Sequence, residues 1–230
     1  MVGVIDIGNS TYHCGIFGKN SLENEERTDK TSVVKNFFRD VGQILCISVV
    51  PSKKKLIEEI LDSDIIAFPE NLVQLDYESK PGEDRLANGI GSKEQIGLPA
   101  IVVDCGSTIT IDLYSEPNDV NCLVKFDGGA IMPGLIPYFS SVAKAGTLLP
   151  STTAHELLER LGKNTEECIK LGAFGSLVGG IREILRTLDY ENKNLIFTGG
   201  DGKFLSEYFL TGYDSSLTLK GGLIAYNKIS

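Results

Sequence analysis

The sequence predicts an α/β fold in which mixed sheets are flanked by helices, and two observations support this prediction. Apolar strand-like runs such as ILCISVV (44–50) alternate along the chain with amphipathic segments such as SKKKLIEEILDS (52–63), a pattern typical of α/β proteins. A strand–turn–strand unit also occurs twice, as VGVIDIGNSTYHCGIF (2–17) and IVVDCGSTITIDLY (101–114). The repeat predicts that the chain contains two related halves.

In the first half, the opening hairpin is followed by a helix that Thr31 can cap, because apolar residues between Val33 and Val41 recur at helical spacing. The run ILCISVV ends at Pro51, where the second helix begins. The lysines of this helix, Lys53–Lys55, are interpreted as a solvated face. Two short strands, IIAF and LVQL, and a helix over GEDRLANGIGSKEQIG complete the half.

The second half starts a new sheet near Ile101, so we expect domains of residues 1–98 and 99–230. A strand, VNCLVKF, leads to an expected turn at DGG. Helices are predicted over Leu135–Ala145, over AHELLERLG and over about Thr165–Leu188. The strand NLIFT ends at GGDG before another helix, and LTLKGGLIAYNK closes the chain.

Composition excludes several classes of function. The net charge of −9 and pI of about 4.8 argue against a surface for nucleic acid or anionic membrane, because phosphates would be repelled. The longest uncharged run, 128–143, is shorter than the roughly 20 residues of a membrane helix. Five cysteines without a C-x-x-C pair fit neither a disulfide framework nor a structural zinc site. We therefore expect a soluble cytoplasmic protein.

The repeated turn has the chemistry of a phosphate-binding loop. Gly8 and Gly106 lack a Cβ, so backbone N–H groups can approach an anion closely. Asp6 and Asp104 end the preceding strands and could orient Mg²⁺, water or a monovalent cation. Side-chain donors follow each glycine: Asn9, Ser10, Thr11, Ser107 and Thr108. Two such turns could hold a polyphosphate between two domains, although D-x-G is also common in plain hairpin turns.

A third glycine-rich segment, FTGGDG (197–202), joins a strand to a helix. A nucleoside could rest there against bare backbone, while many Gly-Gly pairs at strand ends are simple turns. The chain has no G-x-x-x-x-G-K-[ST] segment, which excludes a P-loop enzyme.

Together, these elements resemble the superfamily of actin, sugar kinases and heat-shock ATPases, and more specifically the type III pantothenate kinase family. The resemblance spans nearly the whole chain, and the motifs occur in the order of that family. The motifs are DIGNST (6–11), GEDRLAN (82–88), VVDCGSTITID (102–112), GGAIMPGL (128–135), GKNT (162–165) and FTGGDG.

The resemblance implies a fold of two duplicated ribonuclease H-like domains of the actin-like ATPase type. It implies that the protein phosphorylates pantothenate from ATP, the first step of coenzyme A biosynthesis. It further implies Mg²⁺ with ATP, a monovalent cation (K⁺ or NH₄⁺), and a homodimer with the active site at its interface.

The resemblance also assigns roles to individual residues. Asp84 would be the catalytic proton acceptor, and Asp104 would hold the monovalent cation. The residues implied for ATP are Asp6, Ile7, Gly8, Asn9, Ser10, Thr11, Tyr12, His13 and Ser107, where Ser107 replaces a family threonine. The residues implied for pantothenate are Gly82, Glu83, Asp84, Arg85, and Thr165 from the partner subunit. Tyr77 precedes Asp84 by seven residues, whereas family members place a substrate-contacting tyrosine nine residues before this aspartate.

Other interpretations of these residues remain open at this point. Glu83 and Asp84 would also favour the positive end of a following helix, with Arg85 as a surface cation. His13 and His155 are far apart in sequence and predict no metal site. Alternative functions are a nucleotide-binding regulatory protein of the Bvg accessory factor type and a related small-molecule kinase, such as an acetate or sugar kinase.

Overall fold

A computed structural model describes residues 1–19, 21–145 and 160–230. The chain packs into two compact units, each built from separate segments. The first unit contains Met1–Ala100, Tyr114–Gly128 and Ser216–Ser230, and the second contains Ile101–Leu113 and Gly129–Ser215. The division into contiguous halves at residues 98 and 99 stays a prediction.

The first unit is built on a five-stranded sheet with strand order β3-β2-β1-β4-β5. Strands β1 and β2, and β2 and β3, are antiparallel, while β1, β4 and β5 run parallel. Its strands are β1 (Val2–Ile7), β2 (Tyr12–Gly18), β3 (Ser21–Thr28), β4 (Gln43–Ser48) and β5 (Asp64–Ala67). The central strands carry the core, with Ile5, Ile44 and Cys46 fully buried. The sequence analysis missed β3, a mostly exposed edge strand rich in charged residues.

Four helices belong to the first unit: α1 (Thr31–Phe37), α2 (Pro51–Ile60), α3 (Glu83–Ile96) and α7 (Leu217–Ile229). The predicted cap at Thr31 is wrong, because Lys30 occupies the N-cap position and provides no side-chain hydrogen bond. Helix α7 packs on α3 through Gly221, where a Cβ would overlap the carbonyl of Ala87. The next residue, Gly222, lies against Val4 and Ile47 of the sheet. The last segment of the sequence therefore belongs to the core of the first unit.

The second unit contains β7 (Ala100–Cys105), β8 (Thr108–Ser115), the end of β9 (Val124–Pro133), β10 (Asn194–Thr198) and β11 (Gly212–Tyr213). These strands are ordered β11-β10-β7-β8-β9. If β7 to β11 are matched in turn with β1 to β5, this order read in the opposite direction is the order of the first sheet. The shared strand order supports the predicted duplication. A short strand, β6 (Val73–Leu75), pairs in parallel with the beginning of β9 inside the first unit. The turn predicted at DGG is wrong, since β9 continues through it with Gly128 at φ +110°.

The helices of the second unit are α4 (Leu135–Ala145), α5 (Thr165–Thr187) and α6 (Gly202–Phe209), as predicted. Buried residues of α5, including Ile181, pack with those of β7 and β8 in one core. The predicted helix over AHELLERLG lies largely outside the described residues. Within the three described ranges, no helix is both long and apolar enough to cross a membrane. The predicted architecture of two mixed sheets with flanking helices is confirmed.

Candidate active site

The first repeated turn joins β1 to β2 and is closed by a hydrogen bond from the Gly8 N–H to the Thr11 carbonyl, 3.0 Å long. Asn9 and Ser10 are exposed at its tip, and Asp6 is half-buried just before it. Two other residues implied for ATP, Ile7 and Tyr12, have buried side chains. This turn therefore offers main-chain groups and the side chains of its tip to a ligand.

His13 follows this turn on β2, and its buried imidazole contacts two side chains of β3. Arg27 Nη2 lies 2.9 Å from Nδ1, and Glu25 Oε1 lies 2.6 Å from Nε2. Because a guanidinium group can only donate, Nδ1 must accept, and Nε2 donates its proton to Glu25. Burial, with the positive charge of Arg27, lowers the pKa of His13 to about 4, partly opposed by Glu25. The imidazole is therefore neutral at pH 7.

The GEDR segment begins α3 beside this first turn. Glu83 Oε2 accepts a hydrogen bond of 2.8 Å from the N–H of Ser48, and Ser48 is the register partner of Ile7. Desolvation by burial raises the pKa of Glu83. Because β1 and β4 are parallel, this tether fixes the start of α3 at the strand ends that carry the first turn. Two motifs that are distant in sequence thus meet within one unit.

Asp84 is half-buried in the first turn of α3, and its Oδ1 accepts a hydrogen bond of 2.8 Å from the Arg85 N–H. A Cβ on the preceding residue, Gly82, would overlap Oδ1 of Asp84 and lie 2.9 Å from Val49. A larger residue at position 82 would therefore have to displace the Asp84 carboxylate or the Val49 side chain.

Arg85 is buried, with only 6% of its surface exposed, so the interpretation as a surface cation is wrong. Its guanidinium carbon lies 4.9 Å from the ring centroid of Phe126 and 5.8 Å from that of Tyr77. Its carbonyl accepts a hydrogen bond of 2.6 Å from the buried Tyr114 hydroxyl. A cavity of about 680 Å³ is lined by residues 75–79. Tyr77 therefore lies beside Arg85 despite the shortened segment between them.

Lys53 is a residue of this site that the sequence analysis missed. Its Nζ donates to the carbonyl oxygens of Gly8 and Asn9, at 3.1 and 2.7 Å, and lies 5.1 Å from the ring centroid of Tyr12. The prediction of a solvated face is wrong for Lys53, although Lys55 is exposed. Nothing within a run of three lysines distinguishes the one that contacts the turn.

The second repeated turn lies in the second unit and is held by the start of α4. The Gly106 N–H donates to the Thr108 carbonyl at 3.0 Å, and the Gly134 N–H donates to the Ser107 carbonyl at 3.1 Å. A Cβ on Gly134 would overlap the carbonyl of Gly106. The GGAIMPGL motif thus supplies a glycine that packs directly on the turn containing Ser107.

The glycine-rich turn after β10 meets the strand end that carries Asp104. Gly199 has φ +83°, and a Cβ there would lie 2.5 Å from both Asp104 Oδ1 and the Cys105 carbonyl. The Asp201 N–H donates to the same carbonyl at 3.0 Å, and Tyr213 donates its hydroxyl to the Gly199 carbonyl at 3.1 Å. A cavity of about 290 Å³ adjoins this turn and is lined by Gly200, Asp201, Lys203, Phe204 and Glu207. The turn predicted for a nucleoside therefore borders a cavity.

The oxygen atoms around Asp104 are ligands of the kind that hard cations prefer. Across residues 1–19, 21–145 and 160–230, no three His, Cys, Asp or Glu side chains are grouped to hold a metal ion. A cation at Asp104 would therefore need main-chain or phosphate oxygens as further ligands. The neighbouring Cys105 is buried, and this burial raises the pKa of its thiol. This supports a packing role for Cys105.

Thr165 is exposed in the first turn of α5, and His155 lies outside the described residues. Asn164 caps the helix, because its side chain accepts a hydrogen bond of 2.9 Å from the Glu167 N–H. Glu167 also pairs with Arg160, and this hydrogen-bonded pair lowers the pKa of Glu167 to about 2. The hydrogen-bonded cap and the ion pair at the start of α5 thus fix the backbone at Thr165.

Comparison with known proteins decides the family. The family model described as type III pantothenate kinase matches residues 4–187. The chain belongs to the type III pantothenate kinase family. Members of this family phosphorylate pantothenate in coenzyme A biosynthesis, so the family and enzyme class predicted from the motifs are confirmed.

Two curated relatives are themselves named type III pantothenate kinase. One, from Thermosipho melanesiensis, is 33% identical over 155 residues, which cover 66% of this chain and 60% of the relative. The other, from Citrifermentans bemidjiense, is 28% identical over 258 residues and covers 99% of both chains. The similarity to this kinase family therefore extends over nearly the whole chain.

Solved structures agree on the fold. A conserved Campylobacter jejuni protein, whose suggested role is that of a Baf family transcriptional activator, superposes with a TM-score of 0.70 at 26% identity and covers 99% of this chain and 98% of its own. MreB5 of Spiroplasma citri, bound to ADP, gives a TM-score of 0.55 at 12% identity, covering 99% and 96%. The second likeness concerns the fold alone, and it agrees with the predicted fold of two mixed sheets flanked by helices.

Proposed function

We propose that this type III pantothenate kinase transfers the γ-phosphoryl group of ATP to the primary hydroxyl of pantothenate, with Asp84 as the proton acceptor. One observation carries the proposal. The hydrogen bond from Ser48 to Glu83 holds the start of α3, and with it Asp84, at the end of the sheet where the first glycine turn lies. A carboxylate and an anion-binding turn are the two groups that such a reaction requires at close range.

The environment of Asp84 suits this role. A carboxylate oxygen can accept a hydrogen bond from a substrate hydroxyl. Phosphoryl transfer passes through a loose transition state in most analyses, so the acceptor mainly orients the nucleophile. The hydrogen bond from the Arg85 N–H restricts the rotation of the Asp84 carboxylate, which favours a fixed orientation.

Arg85 and Tyr77 are proposed as ligands of pantothenate. A guanidinium group presents planar, paired donors that match a carboxylate, and pantothenate carries one. The rings of Phe126 and Tyr77 lie within 4.9 and 5.8 Å of the guanidinium carbon and limit its motion. The adjoining cavity of about 680 Å³ is large enough for a small substrate.

For ATP, we propose that the first turn, Asp6 to His13, contacts the phosphates through its main chain and the side chains at its tip, and that Ser107 of the second turn contributes its hydroxyl. The cavity beside Gly200 is proposed for the nucleoside. Asp104 would hold K⁺ or NH₄⁺, which offsets negative charge during transfer, and Mg²⁺ would bind mainly to the phosphates. Thr165 is proposed to reach pantothenate in the partner subunit of a homodimer. A cytoplasmic location is proposed from membership of this kinase family.

The test follows phosphopantothenate by mass spectrometry after incubation with ATP, Mg²⁺, K⁺ and pantothenate. Asp84→Asn should lower kcat by at least about 100-fold. Glu94→Gln, an equal charge change at an exposed position of the same helix, should leave kcat unchanged. Near-normal turnover by Asp84→Asn would refute its role as the proton acceptor.

A second candidate function is nucleotide-dependent regulation, favoured by the suggested role of the Campylobacter jejuni protein. A regulator would bind ATP without forming phosphopantothenate. Wild-type protein that binds ATP in a calorimeter but yields no product with pantothenate would favour this candidate.

A further inference from the structure

We propose that Lys53 is a positioning residue for the ATP phosphates, because it fixes the orientation of the peptide groups in the first glycine turn. The inference rests on the proposed role of that turn in phosphate binding. It concerns a residue of α2 that lies outside the motifs of the family resemblance.

The hydrogen bonds of Lys53 define the direction of two successive peptides. Its Nζ binds the carbonyl oxygens of Gly8 and Asn9, which belong to the peptides whose N–H groups are those of Asn9 and Ser10. In a trans peptide the C=O and N–H bonds point in opposite directions. Lys53 therefore draws both carbonyls towards α2 and turns both N–H groups to the opposite side. Successive N–H groups that point the same way form an anion-binding concavity.

The side chain of Lys53 is itself held in place. Its ammonium group lies 5.1 Å from the ring centroid of Tyr12, a residue that is only 3% exposed. An exposed lysine loses rotamer entropy when it is fixed, so several simultaneous contacts are needed to hold it. Lys55, two residues further along α2, is exposed and provides a matched comparison within the same helix.

The positive charge of Lys53 adds a second effect. The protein carries a net charge of −9, so an ATP phosphate approaching the turn meets an unfavourable overall field. An ammonium group bound to the backbone of the turn lowers this repulsion locally. Both effects act on ATP, whereas pantothenate is proposed to bind at Arg85 and Tyr77.

The experiment compares Lys53→Met with Lys55→Met, because methionine keeps an unbranched apolar stem and removes the charge and the donors. We expect Lys53→Met to raise the KM for ATP about tenfold or more and to leave the KM for pantothenate within about twofold. Lys55→Met should match the wild type for both substrates. Lys53→Arg, which can still donate to the two carbonyls, should recover at least part of the loss. Thermal unfolding of each variant is recorded alongside.

Equal KM values for ATP in Lys53→Met and Lys55→Met would overturn the inference. A rise in both KM values together with a lower unfolding temperature would also overturn it, since that result indicates a general structural role. Calorimetric titration of the wild type with ATP separates the two proposals. Wild-type binding that Lys53→Met does not weaken refutes only the role of Lys53, while a wild type that binds no ATP refutes the proposed function of the turn as well.

Discussion

Arg27 donates a hydrogen bond from Nη2 to Nδ1 of His13, across a distance of 2.9 Å on the β2–β3 pair. This contact requires an unprotonated Nδ1, and the opposite ring nitrogen donates to Glu25. Protonation of His13 at Nδ1 would place an N–H donor against the positively charged guanidinium of Arg27, which can only donate. The first turn is therefore followed by a buried, neutral imidazole whose charge state is coupled to the fold.

The first prediction concerns stability and pH. The pKa of His13 is about 4 in the folded protein, against about 6.5 in an unfolded chain. The unfolded state therefore binds a proton more readily, so the free energy of unfolding is fully retained above about pH 6.5 and falls as the pH decreases towards 4. We expect a loss on the order of 2 kcal/mol between about pH 7.5 and 5, measured by urea unfolding.

The control for this prediction is His13→Gln, which cannot titrate and should show a shallower decrease over the same range. Glu25 on β3 and Asp6, the register partner of His13 on β1, are the neighbouring acids, and they are present in both proteins. The difference between the two pH profiles therefore gives the contribution of the imidazole. An identical slope for the wild type and His13→Gln would contradict the prediction.

The fold could be predicted from the sequence where the signal is local. Helix α5 was recognised over nearly its full length, because its apolar residues recur at helical spacing. Strand β3 was missed, since its charged residues carry no apolar alternation and its pairing depends on β2. The contact between Gly221 and Ala87 joins residues that are far apart in the chain. It could not be predicted, because the spacing of apolar residues indicates local structure and not which helices pack together.

The candidate site shows the same division. The Asp-x-Gly turns and the GEDR segment were found because glycine, acidic and hydroxyl residues occur there at characteristic spacings. The burial of Arg85 between aromatic rings depends on Phe126, which comes from a distant strand. Lys53 was assigned to solvent because charge runs usually are solvated, and only the position of α2 after β4 reveals its contact with the turn.

The second prediction concerns Arg85. Arg85→Lys keeps the positive charge but loses the planar paired donors and part of the stacking on Phe126. We expect the KM for pantothenate to rise about tenfold or more, with a smaller change in the KM for ATP. Arg182→Lys is the control, because Arg182 also lies over a ring, that of Tyr208, but is exposed on α5. Steady-state kinetics with each substrate varied in turn measure both KM values. Equal KM values for pantothenate in Arg85→Lys and Arg182→Lys would contradict the prediction.

The third prediction concerns the monovalent cation. If Asp104 holds K⁺ or NH₄⁺, the wild type should be faster in these salts than in Na⁺ at equal ionic strength, and Asp104→Asn should lose most of this difference. The exposed Asp189 provides the control Asp189→Asn, which should keep the salt preference. Initial rates in the three chloride salts measure the effect. Equal initial rates of the wild type in all three salts would contradict the proposal that Asp104 binds a monovalent cation.

The fourth prediction separates two adjacent glycines. Gly199 has φ +83°, and an added Cβ would lie 2.5 Å from Asp104 Oδ1 and from the Cys105 carbonyl, whereas a Cβ on Gly200 meets nothing within 4 Å. Alanine in the left-handed region costs about 1–2 kcal/mol, and the overlap must displace the turn further. Gly199→Ala should therefore lower the unfolding temperature and weaken ADP binding, while Gly200→Ala should preserve stability.

Calorimetric titration with ADP and thermal unfolding of both variants provide the measurement for this pair. The Gly199 carbonyl also accepts a hydrogen bond from the hydroxyl of Tyr213. Tyr213→Phe removes only this one hydrogen bond, so it should weaken ADP binding less than Gly199→Ala does. Equal effects of the two alanine substitutions would mean that the conformation of Gly199 does not determine the geometry of the turn. If only Gly199→Ala weakens ADP binding, the result would indicate that ADP binding depends on the backbone of the turn and on Asp104, since the added methyl group would disturb both.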